Sequence, residues 1–281
     1  MEKFIVNDNQ KLLKALSCHF PSISARTLRM LVGQKNAKVN GLRVNENVDL
    51  IKGDVVEIFI PQKYLQVKLD TVFEDNNIVL LNKPANIEVV SPDESTLTLT
   101  KALKEKFGEI YPVHRLDTNT TGLVLFAKSK KICDLLVKAF KLGFVSKNYF
   151  AVVYAQKILP SNQFSDFILD TNQNFVKVGS KKGEGWLSAK LDYEVIKSCE
   201  PLYMLDITLH TGRTHQIRAQ LAFHNIFVLG DGKYGDKQAN RIYHARTQKL
   251  CAYKLSFSFP KSSKLSYLNN MAFSISAPFD I

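Results

Sequence analysis

The stretch GLVLFAKSKKICDLLVKAFKLGFVSKNYFAVVYA (122–155) decides the fold class. Its opening, GLVLFAKS, is an apolar run that reads as a strand. From Lys130 the period changes, and KKICDLLVKAFKLG (130–143) predicts an amphipathic helix stopped by Gly143. KNYFAVVYA (147–155) is strand-like again. The rest of the chain does not continue this alternation. NIVLLNKP (77–84) reads as a buried strand ended by Pro84, and LYMLDITLH (202–210) as a further strand. LTLTKALKEKFG (97–108) predicts a helix with Gly108 as its stop, and THQIRAQLAFHN (214–225) another. Strands outnumber helices without a regular βαβ order. The expected class is therefore α+β, a largely antiparallel mixed β-sheet with flanking helices.

Residues 1–62 are expected to form a separate small α/β module, and residues 70–281 the larger domain. The polar segment PQKYLQVKLD (61–70) would link them. QKLLKALSCHF (10–20) has leucines at helical spacing. ARTLRMLVGQ (25–34) predicts a second helix, capped by Ser22 or Ser24, with Gly33 near its end. AKVNGLRVNENVDLIKGDVVEIFIP (37–61) alternates like short strands, with Asn40-Gly41 as a hairpin signal and Gly53-Asp54 as a second turn.

Charge points to a partner. The chain of 281 residues carries 38 basic and 26 acidic side chains, a formal charge of +12 that predicts attraction to polyanions. Between Gln10 and Arg43 lie seven basic residues (Lys11, Lys14, Arg26, Arg29, Lys35, Lys38, Arg43) and no acid. Scattered lysines usually mark a solvated helix face. A one-signed stretch on two helices and a hairpin repels itself unless a polyanion neutralises it, which favours RNA or DNA. A second basic stretch runs from Lys128 to Lys147, six lysines against Asp134 alone. No apolar run approaches membrane-spanning length, and no basic amphipathic helix or lipidation signal points to a membrane. MEKFIVNDNQ (1–10) does not read as a signal peptide. The four cysteines (Cys18, Cys133, Cys199, Cys251) are far apart and form no CxxC pair. Neither a metal site nor a disulfide framework is expected, and a reducing, cytoplasmic location follows. A monomer is the default.

VHRLDTNTTGL (113–123) places Asp117 on a loop entering the strand GLVLFA. From spacing alone, Asp117 reads first as a turn former, with an ion-pair partner and a catalytic group as the alternatives. HTGRTHQIRAQL (210–221) puts Gly212, Arg213 and Thr214 at the predicted start of a helix, where free amides attract anions. Arg218 follows one turn inside, on a face shared with Thr214 and Leu221. SKNYFAVV (146–153) puts Lys147 and Tyr149 on one side of a strand, alternating with Asn148 and Phe150. Each also has a plain structural reading: Arg213 as a cap, Arg218 as partner of a structural acid, Tyr149 as core.

Together these segments resemble the RluA-type RNA pseudouridine synthases. TVFEDNNIVLLNKP (71–84) is similar to that family's opening block, HRLDTNTTGLVLFAKS to its catalytic block and KNYFAVV to its lysine–tyrosine strand. TGRTHQIRAQL resembles its late arginine block, and GDGKYG (230–235) also fits. Five motifs in order span most of residues 70–260. Residues 10–60, with KVNGLRV and IKGDVVEI, resemble the small RNA-binding module named after the fourth small-subunit ribosomal protein.

The resemblance implies isomerisation of uridine to pseudouridine in RNA without a cofactor, since nothing is added from outside. Asp117 would be the nucleophile. Arg218 would pair with it and hold it ionised. Tyr149 would pack against the target base and take part in proton movement. Arg115 would enter the RNA helix and help displace the nucleotide. Further RNA contacts are expected from His114, Lys147 and Arg213, and from Arg26, Arg29 and Lys38 in the N-terminal module. Large-subunit ribosomal RNA is the favoured substrate. Transfer RNA, or a non-catalytic role in ribosome assembly, is the alternative. Asn86 stands where the family usually has glycine, Thr121 where serine is commoner, and Cys251 where histidine is frequent.

Overall fold

Two successive left-handed residues set the first hairpin. Asn40 (φ 50°) and Gly41 (φ 81°) both take positive φ, the geometry of the tight turns that match strand twist. The computed structural model describes residues 2–20, 23, 25–61, 69–93, 96–171 and 175–281, so Ser22, Ser24 and residues 62–68 of the linker lie outside it. The chain divides into two compact units. Met1–Leu69 with Ile87–Gly108 form the first, and Asp70–Asn86 with Glu109–Ile281 form the second.

In the first unit, β1 (Glu2–Ile5), β2 (Gln10–Lys11), α1 (Leu12–His19) and α2 (Ala25–Gly33) are followed by β3 (Ala37–Val39), β4 (Leu42–Val44), β5 (Asp49–Leu50) and β6 (Val55–Ile58). A four-stranded sheet has the order β1-β6-β3-β4, and β2 pairs with β5. Leu12, Ala15 and Leu16 of α1 and Leu28, Leu31 and Val32 of α2 share the core with Ala37, Val56 and Ile58. This is the i, i+3, i+4 stripe that drives an amphipathic helix onto a sheet. The sequence reading does not include β1. Its strand is mostly exposed and lies at an edge, so it carries little apolar periodicity. The same unit holds α3 (Leu99–Phe107), capped by the Thr98 side chain on the Lys101 N–H and followed by Gly108 at φ 72°.

The second unit is built on β7 (Asp70–Glu74), β8 (Ile78–Lys83), β9 (Tyr111–Pro112), β10 (Thr121–Ala127), α4 (Lys130–Lys141) and β11 (Val145–Tyr154). It continues through β12 (Ser161–Asp170), β13 (Val176–Gly179), β14 (Leu187–Cys199), β15 (Leu202–Leu209), α5 (Gln216–Phe223), β16 (Phe227–Val228), α6 (Lys237–Ile242), β17 (Leu250–Phe257) and β18 (Phe273–Ser274). The sheet runs β13-β12-β14-β15-β11-β17-β10-β8-β7, with β16 paired to β11, β18 to β17 and β9 to β10. The β10–β17 pair is parallel and the others are antiparallel. The fold is therefore α+β with a largely antiparallel mixed sheet, as the pattern predicts. Cys133, Leu136 and Ala139 of α4 pack with Ile78, Leu80, Leu123 and Leu125. Asn86 takes φ 66°, so asparagine here keeps the left-handed turn for which glycine would be the usual choice. Among the described residues no helix is long and apolar enough to cross a membrane.

The parallel β10–β17 contact depends on Gly122. It sits at φ 109°, and a Cβ there would lie 2.3 Å from the Ala252 carbonyl oxygen. Both the backbone angle and the close approach require glycine. Gly122→Ala is expected to lower the unfolding free energy by about 2 kcal/mol or more. Gly33→Ala, with nothing within 4 Å of the new carbon, should stay within about 1 kcal/mol. Denaturant unfolding of both variants checks this, and equal losses would contradict it.

Candidate active site

The loop 113–120 is fixed from several sides before Asp117 meets any partner. Val113 and Leu116 are buried. The Val113 N–H donates to the Leu125 carbonyl. Lys83, fully buried at the end of β8, donates from Nζ to the carbonyls of Pro84 (2.8 Å) and Thr118 (2.9 Å). A buried ammonium needs such acceptors, and here one of them is the residue after Asp117. Gln248 donates to Thr120 Oγ1 at 2.7 Å. The turn itself closes through the backbone, from the Thr120 N–H to the Asp117 carbonyl at 3.1 Å. The Asp117 side chain is therefore not the turn former. Its Oδ2 accepts from Arg218 Nη1 at 2.6 Å, and the carboxylate keeps 27% of its surface exposed.

Arg218 is aimed by its helix. α5 begins at Gln216, two residues later than the sequence pattern predicts, because His215 takes the left-handed conformation at φ 54°. The helix buries polar side chains as well as apolar ones. Gln216 donates to the Lys190 carbonyl and to Gln220 Oε1. Gln220 donates to Asp166 and the Ala189 carbonyl. His224 also meets Asp166, at 2.9 Å. This ladder fixes the rotation of α5 against β12 and β14 more narrowly than an apolar stripe would.

A second carboxylate completes the arrangement. Arg218 Nε donates to Asp231 Oδ2 at 2.7 Å and Nη2 to Oδ1 at 2.9 Å, a two-point grip on a fully buried acid. The Lys233 and Tyr234 N–H groups also donate to Asp231 Oδ1. Burial opposes the Asp231 charge, but Arg218 and these amides outweigh it and hold the carboxyl below its ordinary range. Burial likewise opposes the Arg218 charge, and Asp231 together with Asp117 drives its pKa upward instead. The Tyr234 ring lies 5.3 Å from the guanidinium carbon, and its hydroxyl meets His215 Nδ1 at 3.0 Å. Gly230 and Gly235 of GDGKYG make this turn possible. A Cβ at Gly230 would strike the Thr247 carbonyl, and one at Gly235 would lie 2.4 Å from the Asp231 carbonyl oxygen.

Tyr149 lies on β11, buried, with its pKa raised by burial and then by the Asp117 charge. It is protonated at any physiological pH. Among the described residues none hydrogen-bonds its hydroxyl. A one-residue irregularity separates Asn148 from Tyr149 in the β17 pairing, with Tyr253 as the extra residue stacked on Phe150 at 3.6 Å. Lys147 sits with its ammonium 5.3 Å from the Phe140 ring centre, and burial lowers its pKa to about 8. His114 accepts the Leu125 N–H at Nε2, 3.2 Å away. Burial, and then the Lys147 charge, lower its pKa to about 3, so the ring is neutral and braces β10. Arg213 Nε donates to the Ser188 carbonyl at 3.0 Å. Arg115 is exposed, and in the first unit Arg26 and Arg29 are exposed as well. Lys38 is half-buried, 4.0 Å from Glu57. Cys251 lies beside Thr121 in the parallel pair, and burial raises its thiol pKa. Among the described residues no group of three or more His, Cys, Asp or Glu could hold a metal ion.

Asp231, Lys83 and His215 are the site residues that sequence reasoning passes over. Asp231 did carry a signal: an acid between two glycines, in a block that follows the arginine helix. If Asp231 anchors Arg218, Asp231→Asn should cost about 3 kcal/mol, because it leaves a buried guanidinium short of charge. Asp192→Asn, which breaks an exposed pair with His210, should cost less than about 1 kcal/mol. Thermal or denaturant unfolding of both variants separates these outcomes, and a loss below 1 kcal/mol at Asp231 would contradict the anchor.

Comparison with known proteins agrees with this geometry. Residues 77–223 match the family model described as RNA pseudouridylate synthase. The chain is 34% identical to an uncharacterized RNA pseudouridine synthase of Mycoplasma capricolum subsp. capricolum, over 96% of each chain. It is 29% identical to the ribosomal large subunit pseudouridine synthase C of Rickettsia conorii, over 82% of this chain and 84% of that one. It is 30% identical to the tRNA pseudouridine synthase C of Haemophilus influenzae, over 68% of this chain and 87% of that one. The fold resembles human RNA pseudouridylate synthase domain containing 1, with a TM-score of 0.60 at 22% identity over 75% of this chain and 84% of that one. The chain belongs to the RNA pseudouridylate synthase family.

Proposed function

We propose that this RNA-modifying isomerase uses Asp117 as its nucleophile and acts on uridine in large-subunit ribosomal RNA. The observation that carries the catalytic half is the 2.6 Å contact between Arg218 Nη1 and a carboxylate that still reaches solvent. Arg218 neutralises Asp117 on one side and leaves its other oxygen for the substrate. In the isomerisation the N1–C1′ bond breaks, the uracil turns, the C5–C1′ bond forms, C5 loses its proton and N1 takes one up, so the atoms are conserved. Tyr149 packs against the base. Its hydroxyl is protonated, so it can take the C5 proton only while passing its own proton on. Lys83, through the Thr118 carbonyl, keeps the loop from yielding when the nucleotide enters. The extruded base costs a few kcal/mol of stacking, which exposed Arg115 and the basic surface offset.

The ribosomal half rests on the N-terminal unit. Two helices, a hairpin and exposed Arg26 and Arg29 support the reading of a small RNA-binding module like that of the fourth small-subunit ribosomal protein. The relative named for the large ribosomal subunit matches 82% of this chain, against 68% for the relative named for transfer RNA.

Incubation with RNA carrying tritium at uracil C5 tests the first claim, because the label enters water when C5 bonds to C1′. The intact protein should release tritium from large-subunit ribosomal RNA more readily than from transfer RNA. Asp117→Ala should release none, and equal release by both proteins would remove Asp117 from the chemistry. A second test concerns Lys147 as a phosphate contact. Its pKa lies near 8, below the ordinary lysine value, so its charge is present below pH 8 and lost above it. RNA affinity is therefore expected to fall several-fold between pH 7 and 9, one lost phosphate contact. Lys147→Arg should flatten that decline, and an unchanged decline would assign it to other groups.

A further inference from the structure

In the first unit, an aromatic group closes one side of an open groove. The rings of Phe4 on β1 and His19 at the end of α1 stack at 4.2 Å with an interplanar angle of 12°. Phe20 meets both edge-on, at 6.3 Å from Phe4 and 4.8 Å from His19. Phe20 is buried and Phe4 half-buried, while His19 is exposed. The His19 ring is thus held in a fixed plane by its neighbours yet keeps surface open to a ligand. The groove beside it has a volume of about 480 Å³ and is lined in part by Asn7, Asp8, Lys14 and Cys18. That is within the range of small-molecule sites.

We infer that this groove seats one unpaired nucleobase of the RNA substrate, stacked on His19. The inference rests on the proposed RNA-binding role of the N-terminal unit. A ring fixed by other rings loses little entropy when a third stacks on it, and imidazole is among the rings on which unpaired bases stack. Asp8 in the lining repels a phosphate but accepts from the N–H edge of a base. Asn7 offers both a donor and an acceptor for the same edge. Lys14, about one and a half turns before His19 on α1, is the cation that meets the flanking phosphate. The contact is distinct from that of Arg26 and Arg29, because stacking does not release counterions and does not follow salt.

Fluorescence anisotropy with the full-length protein and a labelled single-stranded RNA, over 50–300 mM KCl, tests the inference. His19→Ala should weaken binding between about 5- and 100-fold at every salt concentration, with the slope of log affinity against log salt unchanged. His19→Tyr should restore it. Wild-type binding by His19→Ala, or a loss confined to a change of slope, would overturn the platform. The variant Arg26→Gln with Arg29→Gln separates this from the broader reading. It should lower the slope, and an unchanged slope with intact His19 dependence would sink the basic face while leaving the platform. Crosslinking of 4-thiouridine RNA to the unmodified protein needs no substitution. A crosslinked peptide within residues 4–19 supports the platform, and crosslinks elsewhere alone overturn it.

Discussion

Arg218 holds two carboxylates with one guanidinium. Asp231 takes two of its donors from the buried side and Asp117 takes a third from the side open to solvent. Without Asp231 the arginine would lose its charge-assisted anchor in the interior. Without Arg218 the Asp117 carboxylate would have no fixed direction. The surrounding structure serves this contact. The buried glutamines of α5 set its rotation, close-packed Gly230 and Gly235 set the turn that carries Asp231, and buried Lys83 holds the loop that carries Asp117. Such a network is worth building only if complete, since one missing partner leaves a charge stranded in low dielectric.

The electrostatic logic fits an isomerisation. The nucleophile must be charged, yet near enough to dry surroundings that a detached base meets the enzyme before it meets water. A carboxylate bound on one side by a buried cation satisfies both requirements. Tyr149, kept protonated by burial and by that same carboxylate, adds a polar edge without adding charge. His114 is neutral for a similar reason and serves the strand beside it.

Much of this was legible in the sequence because it is local. Asn40-Gly41 announced its hairpin, the 130–143 period its helix, and the run 77–84 its buried strand. The order of motifs brought Asp117 and Arg218 into one account, and the structure joins them across 101 positions. What escaped the reading is non-local or polar. Lys83 looks like a surface lysine until its acceptors are known. Gln216 and Gln220 break the apolar stripe that marks a buried helix face, so nothing in the period of α5 reveals which side is inward. The early start expected for that helix overlooked His215, whose left-handed backbone is set by tertiary contact. β1 lies at a sheet edge with most of its surface exposed, and its pairing with β6 has no signature in its own residues.

The central claim is that Asp231 acts on Asp117 only through Arg218. Single-turnover rates of pseudouridine formation for Arg218→Met, Asp231→Asn and the double variant form a thermodynamic cycle that isolates this coupling. The account predicts that the double variant is no slower than Arg218→Met alone. Multiplying losses, each variant slowing the reaction by its own full factor, would contradict it.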